Sequence, residues 1–304
     1  MLILRKDIGG IMPEAPIVTV ITPTHQMIRE GLTDEFNLLV NLLDKQTYPN
    51  VEHLIIDNGS IDDTQILLKD YKNKGYITFY SEKDSGKYQA LNKGIMRAKG
   101  KYVAFLSCDD FFHDITGIDE VISLMEANDA DFSFAPAYAI HPEGYVFPFE
   151  PTIYNAFQVM PCSRQAMFFK KSTLEKIGMF DEKFKILGDF DLIIRLILNR
   201  AKALRITKNY TTYRLSSKTF EFPERAEAES RAIFIKNYRN LYPLTNEIVD
   251  KMLRTSEFPK GLLEKLSTYF PPEDKELFFN ACEEMRKLRV DAMQMEESGA
   301  QNVE

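Results

Sequence analysis

Residues 100–110 read GKYVAFLSCDD. The apolar and aromatic run Tyr102 to Leu106 is short and ends at Ser107-Cys108 and the acidic pair Asp109-Asp110. A short apolar run bounded by turn residues predicts a buried strand. This one delivers two carboxylates to its carboxyl end. Upstream, three more such runs precede it. Ile17 to Thr22 is β-branched and stops at Pro23; Glu52 to Ile56 closes on Asp57-Asn58-Gly59-Ser60; Ile77 to Tyr80 is the third. Helical patterns fill the intervals. Phe36 to Leu43 is one. Ser60 with Asp62 and Asp63 suits the start of a second, where free amides want acceptors, and Ile66, Leu67 and Tyr71 give it an inner face. Tyr88, Leu91, Ile95 and Ala98 are spaced three or four apart, and Ile118, Val121, Ile122 and Met125 mark a further helix. Strands alternating with helices over short connections predict a mostly parallel sheet covered by helices. Ligands of such sheets bind beyond the carboxyl ends of the strands. Asp57, Asp109 and Asp110 are therefore expected in one crevice.

The alternation gives way after Asp131. Residues 131–140 and 145–149 read as antiparallel strands or loops. Ser172 to Gly178 is a short helix with Ser172 and Glu175 at capping-box spacing and Gly178 at its stop. Leu187-Gly188-Asp189-Phe190-Asp191 opens a helix running to about Asn199. Ala203 to Thr207 and Tyr210 to Arg214 are extended. From about Phe220 the pattern is helical, broken at Pro243, Pro259 and Pro271-Pro272, and from about Met295 the chain is a polar, mobile tail.

Composition narrows the function. The 304 residues carry 38 Lys and Arg against 45 Asp and Glu, a net charge of −7, with 44% hydrophobic and 27% charged residues. These are globular values and exclude a disordered or low-complexity chain. The acidic balance, with no basic block, argues against nucleic acid as a partner. Cys108, Cys162 and Cys282 lie far apart, so neither a disulfide framework nor a zinc cluster follows, and a reducing cytoplasm is expected. No apolar run approaches the ~20 residues of a membrane span. Met1 to Pro16 lacks the long apolar core of a signal peptide and reads as a frayed or docking arm.

The first strand leads into Thr22-Pro23-Thr24-His25 without the glycine triplet of a dinucleotide site, and there is no Walker sequence. Phosphates must be held another way, and a divalent metal on Asp109-Asp110 is the obvious one; Mg²⁺ or Mn²⁺ on hard oxygen ligands would stabilise a diphosphate leaving group. A plain helix cap is the competing reading of that pair. Asp57 reads either as an Asx turn or as a carboxylate accepting from a base or ribose. In Asp84-Ser85-Gly86-Lys87-Tyr88, Gly86 permits close backbone approach, Asp84 suits a base or ribose, and Lys87 suits phosphate; a solvated turn is the alternative. Asp189 and Asp191 either complement a helix dipole or supply the base that takes a proton from an attacking hydroxyl. One carboxylate suffices for direct displacement with inversion, whereas two flanking a covalent intermediate would imply retention.

Four ordered segments carry a resemblance: VTVITPT at 18–24, VEHLIIDNGSIDDT at 51–64, SEKDSGKYQALNKG at 81–94 followed by GKYVAFLSCDD at 100–110, and MPCSRQAMFFKKSTLEKIGMFDEKFKILGDFDLIIRL at 160–196. Together they resemble a family 2 glycosyltransferase of the bacterial polysaccharide or O-antigen type. The resemblance covers about two thirds of the chain, from Pro16 to about Arg214. It implies the GT-A fold, an α/β Rossmann-like mixed sheet flanked by helices, here over residues 16–215. An arm at 1–15, a helical region at 216–295 and a tail at 296–304 would flank it. It further implies that Pro23, Thr24, Asp57 and Asp84 line the base and ribose pocket and that Asp109 holds ribose or the metal shell. Asp110 would ligate a Mn²⁺ or Mg²⁺ bridging the diphosphate. Asp189 would be the catalytic base, Asp191 a second candidate or a structural carboxylate, and Gln165 would face the acceptor or donor sugar. The family inverts the anomeric centre. His25, Lys87, Gln89 and Arg164 depart from its usual residues; Lys87, Gln89 and Arg164 are read as reporters of donor or acceptor choice. No histidine after Tyr213-Arg214 completes a metal shell, and His53, on a strand, reads as structural.

The function expected is transfer of a sugar from a nucleotide diphosphate sugar, a UDP-sugar first, to a saccharide or lipid-linked saccharide of a surface polysaccharide. Alternatives are a GDP- or dTDP-sugar donor, a non-catalytic sugar-nucleotide-binding scaffold, and a nucleotidyltransferase; the last would want a glycine-rich loop after the first strand. Phe220-Glu221-Phe222 and the apolar faces at Ile233, Phe234, Ile235, Tyr238, Leu241, Phe278 and Phe279 read as packing onto the catalytic domain or a homodimer contact, ahead of peripheral docking on the inner face of the membrane.

Overall fold

A computed structural model describes residues 16–215 and 222–300, with side chains as far as Met295. The arm expected at 1–15, Phe220 and Glu221, and the last four residues lie outside the described residues. The four upstream strands form as expected: β1 (Val18–Thr24), β2 (Val51–Asp57), β3 (Thr78–Ser81) and β4 (Tyr102–Phe105). Helices α1 (Thr33–Asp44), α2 (Thr64–Asn73) and α3 (Lys87–Arg97) connect them. Strand β1 pairs in parallel with β2 and β4, and β2 with β3, so Thr24, Asp57 and Ser81 stand side by side at the carboxyl edge.

The chain then changes sheet. Strand β5 (Phe111–Phe112) begins directly after Asp110, and α4 (Gly117–Asn128) follows. Strands β6 (Phe132–Phe134), β7 (Ala137–Ile140), β8 (Val146–Phe149) and β9 (Met167–Lys170) come next, then α5 (Lys171–Lys176), α6 (Gly188–Leu198), β10 (Ala203–Arg205) and β11 (Thr211–Arg214). Seven strands make a mixed sheet in the order β10-β6-β9-β4-β1-β2-β3, with β9 antiparallel to both neighbours. A second sheet of four runs β5-β11-β7-β8. The acidic pair thus sits where the backbone leaves the large sheet for the small one, a natural place for a crevice.

Helices α7 (Pro223–Tyr238), α8 (Asn246–Thr255), α9 (Lys260–Ser267) and α10 (Lys275–Ala300) complete the chain. Ile233, Phe234, Tyr238 and Phe278 are buried in one hydrophobic cluster with Phe105 of β4, Phe169 of β9 and Ile193 of α6. Those apolar faces therefore pack onto the sheet domain. Among the described residues no helix is long and apolar enough to cross a membrane.

Local details differ from expectation for identifiable reasons. The second helix starts at Thr64 because the Ser60 hydroxyl is spent on Asp57. Thr64 and Leu68 rather than Ile66 are its buried residues; Ile66 is 65% exposed. Helix α5 starts at Lys171, so Ser172 makes no capping box, while Gly178 ends the turn with φ +87° as expected. Helix α10 continues through Ala300, past the tail boundary drawn at 296.

His53 is structural. It is buried on β2, its Nε2 lies 3.1 Å from Thr22 Oγ1, and its Nδ1 has no partner. Burial pushes its pKa down to about 3. The unfolded chain takes up this proton near pH 6.5 and the folded chain only near 3. Stability should therefore fall as pH drops through that window, by up to about 1.4 kcal/mol per pH unit. His53→Leu should flatten the slope of melting temperature against pH between 6.5 and 4; an unchanged slope would contradict this.

Candidate active site

The site is built along the carboxyl edge of the large sheet. Asp57 ends β2 and is fully buried. Its Oδ1 accepts from Thr24 Oγ1 at 3.1 Å and Ser60 Oγ at 2.5 Å, and its Oδ2 from Ser60 N at 2.9 Å and Ser81 Oγ at 2.6 Å. One carboxylate thus fastens the ends of three strands. Ser60 Oγ in turn accepts from Gln26 N at 2.7 Å, which hangs the loop after Pro23-Thr24 on the same anchor. Of the two readings of Asp57, the local turn is the one visible here, since both of its oxygens are taken by donors of the chain itself.

Asp84 lies beside this anchor. Its backbone N donates to Asn58 Oδ1 at 2.7 Å, and its Oδ1 accepts from Gly86 N at 3.0 Å. Its Oδ2 is buried with no partner. Burial raises the Asp84 carboxyl above its ordinary value. A buried acceptor without a donor is costly in isolation, and a ligand N–H or O–H would satisfy it.

Asp110 is buried; its Oδ2 accepts from Ser107 N and Gln165 Nε2, both at 2.8 Å, and its Oδ1 from Arg214 N at 3.1 Å. It therefore ties β4, the segment before β9, and β11 together. Asp109 is more open. Burial first, and then the charge of Asp110, push its carboxyl up to about 6. Arg214 Nε, 4.0 Å away, offsets this only partly. Pro23 closes this corner, its carbonyl accepting from Cys108 Sγ at 3.6 Å.

Asp189 stands in the first turn of α6. Arg164 Nη1 donates to both of its oxygens, at 3.0 and 2.9 Å. Tyr88 Oη lies 3.2 Å from Oδ2, and Lys87 Nζ 3.4 Å. Burial alone would raise this carboxyl, but the Arg164 and Lys87 charges outweigh it and hold it below the usual carboxylate range. The result is an ionised, oriented carboxylate with its counter-charge in place. Arg164 is itself buried, and its Nε has no partner. Gly188 is required next door: a Cβ there would lie 2.7 Å from the Tyr88 ring.

Asp191, two residues on, points elsewhere. It is fully buried and bound by Arg195 Nε at 2.7 Å, Lys236 Nζ at 2.9 Å and Asn237 Nδ2 at 3.1 Å. Of its two readings, the structural carboxylate is the one that fits, since it bolts α6 to α7 away from the Arg164 cluster.

Adjacent residues link the two centres. Gln165 holds Asp110 and Arg164 holds Asp189. Lys87, beside the Asp84 turn, reaches Asp189 as well. Asp57, Asp84, Asp109, Asp110 and Asp189 thus belong to one connected edge. Residue types alone did not flag Ser81, Tyr88 or Arg214. In sequence Tyr88 reads as an apolar helix-face residue, which hides its hydroxyl; the other two act through strand register and a backbone N–H. Among the described residues no three His, Cys, Asp or Glu side chains gather as a metal cage.

Residues 19–185 match the family model described as glycosyl transferase family 2. An uncharacterized glycosyltransferase of Mycobacterium tuberculosis is 32% identical over 197 residues, 62% of this chain and 71% of its own length. The putative teichuronic acid biosynthesis glycosyltransferase TuaG of Bacillus subtilis is 34% identical over 121 residues, 39% of this chain and 46% of its own. Among solved structures, S. aureus TarS 1–349 in complex with UDP superposes with TM-score 0.58 at 15% identity, covering 91% of each chain. The mannosyltransferase PcManGT of Pyrobaculum calidifontis, in complex with GDP-Man and Mn²⁺, gives TM-score 0.59 at 14% identity, covering 96% of this chain and 88% of its own. At such identities the structural likeness speaks to fold.

Proposed function

Because the chain belongs to glycosyl transferase family 2, and so is a glycosyltransferase with the GT-A fold, we propose that it moves a sugar from a UDP-sugar to a saccharide hydroxyl with inversion at the anomeric carbon. Residues 16–215 form the catalytic domain in this reading. The acceptor is a saccharide, lipid-linked or free, of a surface polysaccharide, a choice supported by the teichuronic acid relative. The observation that carries the reading is the Arg164-Gln165 link between Asp110 and Asp189. It holds Asp110 and Asp189 through neighbouring residues, which supports reading one as the diphosphate-side carboxylate and the other as the base.

Asp84, through its unpartnered Oδ2, accepts a hydrogen bond from the base or ribose. Pro23 and Thr24 close that pocket, and Asp57 fixes its wall. Asp189 takes the proton of the acceptor hydroxyl as that oxygen bonds to C1. The bond from C1 to the diphosphate oxygen breaks, and its electron pair leaves with the nucleotide. Arg164 balances the carboxylate charge before the proton arrives, and Lys87 adds positive charge near the departing phosphate. The donor set suits a hard cation. Asp109 and Asp110 crowd two carboxylates together, and Mg²⁺-type ions commonly bind through one or two carboxylates plus substrate phosphates. Asp109 and Asp110 would hold such a Mn²⁺ or Mg²⁺, which when bound would neutralise charge on the diphosphate.

A thermal-shift screen of UDP, GDP and dTDP with and without Mn²⁺ tests the donor class, since a ligand bound to the folded state raises the midpoint. UDP should give the largest shift. With Mn²⁺ the shift should shrink from pH 7.5 to pH 5, as Asp109 takes up a proton near pH 6. A larger shift with GDP or dTDP would reassign the donor; no shift with any of them would contradict the proposal.

A further inference from the structure

We propose that Glu229, on α7 of the C-terminal helical region, is a positioning residue for the catalytic base. Its carboxylate sets the loop that aims Asp189. The proposal rests on the reading of Asp189 as the base.

Glu229 is buried, although it lies on a helix 40 residues further along the chain. Its Oε1 accepts from Lys185 N at 2.8 Å, and its Oε2 from Ile186 N at 3.0 Å and Leu187 N at 2.8 Å. Three successive backbone N–H groups thus converge on one carboxylate, the concave arrangement that favours an anion. Leu187 is the residue before α6, and Asp189 lies in that helix's first turn. These three amides lie ahead of α6, outside its hydrogen-bond ladder, and the acceptor that serves them comes from a different part of the chain. The same loop is gripped from its other side. Tyr88 Oη donates to the Ile186 carbonyl at 2.6 Å and accepts from Asp189 N at 3.2 Å. Glu229 and Tyr88 therefore hold between them the short segment whose conformation decides where the Asp189 carboxylate points.

Docking of α7 does not depend on this contact. Ile233, Phe234 and Tyr238 bury that helix in the core, and Lys236 and Asn237 bind Asp191. What Glu229 adds is order in residues 185–187. A base displaced by about 1 Å costs on the order of 10²-fold in rate, so loss of this order should be read in the chemical step.

The test compares Glu229→Ala, Glu229→Gln, Arg231→Ala and Asp189→Asn in steady-state transfer assays with UDP titrations. Arg231 lies on the same helix and pairs with Asp250 of α8, so its loss weakens α7 without touching the loop. Glu229→Ala should lower kcat at least about 10-fold with donor KM and UDP Kd within twofold of wild type. Glu229→Gln, which keeps the shape but only one acceptor oxygen, should fall between and carries the test if the alanine variant does not fold. Arg231→Ala should lower the melting temperature and leave kcat unchanged. Amide hydrogen exchange at 185–187 should accelerate in both Glu229 variants. The proposal is overturned if Glu229→Ala and Glu229→Gln keep wild-type kcat while Asp189→Asn is inactive, or if Arg231→Ala loses as much kcat as they do. Transfer that survives in Asp189→Asn removes the base assignment itself, a separate failure.

Discussion

Asp189→Asn should reduce transfer by about 10² to 10⁴-fold while UDP still binds. The substitution keeps the shape of the side chain and an oxygen for Arg164 Nη1, which now donates to both carboxylate oxygens. It removes the capacity to take a proton. It also leaves the buried Arg164 without a counter-charge, so a lower melting temperature is expected alongside the lost rate; breaking a buried pair on one side commonly costs about 3–5 kcal/mol. Comparing UDP release with UDP titration on one preparation separates these effects. A variant that binds UDP and transfers at the wild-type rate would show that another group removes the acceptor proton.

Asp57→Asn should be damaging in a different way. All four contacts of Asp57 are donors directed at its two oxygens, from Thr24, Ser60 twice and Ser81. An amide presents one acceptor and one donor, so either the Ser60 N–H meets a donor or the Thr24 and Ser60 hydroxyls must turn to accept and lose the bonds they now donate, in a fully buried place. A destabilisation of about 2–4 kcal/mol is expected from the broken contacts to a buried charged acceptor. Donor binding should fall with it, because the Ser60 hydroxyl also carries the loop after Thr24 through Gln26 N. Denaturant unfolding and UDP titration measure the two losses. Wild-type stability with lost UDP binding would mean that Asp57 contacts the ligand without shaping the wall.

Much of this was legible in the chain because it depends on local pattern. The apolar run ending in Asp57 is a strand that stops on that acid, and the run before Asp109-Asp110 is a strand that stops at Phe105, a short turn ahead of the pair. Strand–helix alternation predicted the parallel half of the large sheet. What stayed hidden depends on pairing between distant segments. No spacing rule reports that β9 inserts antiparallel between β4 and β6, or that β5 and β11 pair in a second sheet. Asp189 and Asp191 are equivalent as text. Only the packing of α6 separates them, by turning one to Arg164 and the other to Lys236. Arg164 and Lys87 show in sequence only as departures from a family pattern; that both converge on Asp189 is a product of the fold. Glu229 gave no signal at all, since a glutamate in a charged helical stretch reads as a solvated face.

The most direct measurement is a crystal structure of the protein with UDP-sugar and Mn²⁺. The nucleotide should lie along the carboxyl edge, its base or ribose on Asp84 Oδ2, its diphosphate beside Asp109 and Asp110, and its anomeric carbon between them and Asp189. Density for the nucleotide at the opposite end of the sheet, in the groove lined by Glu52, His53 and Lys99, with the Asp84 to Asp189 edge empty, would contradict it.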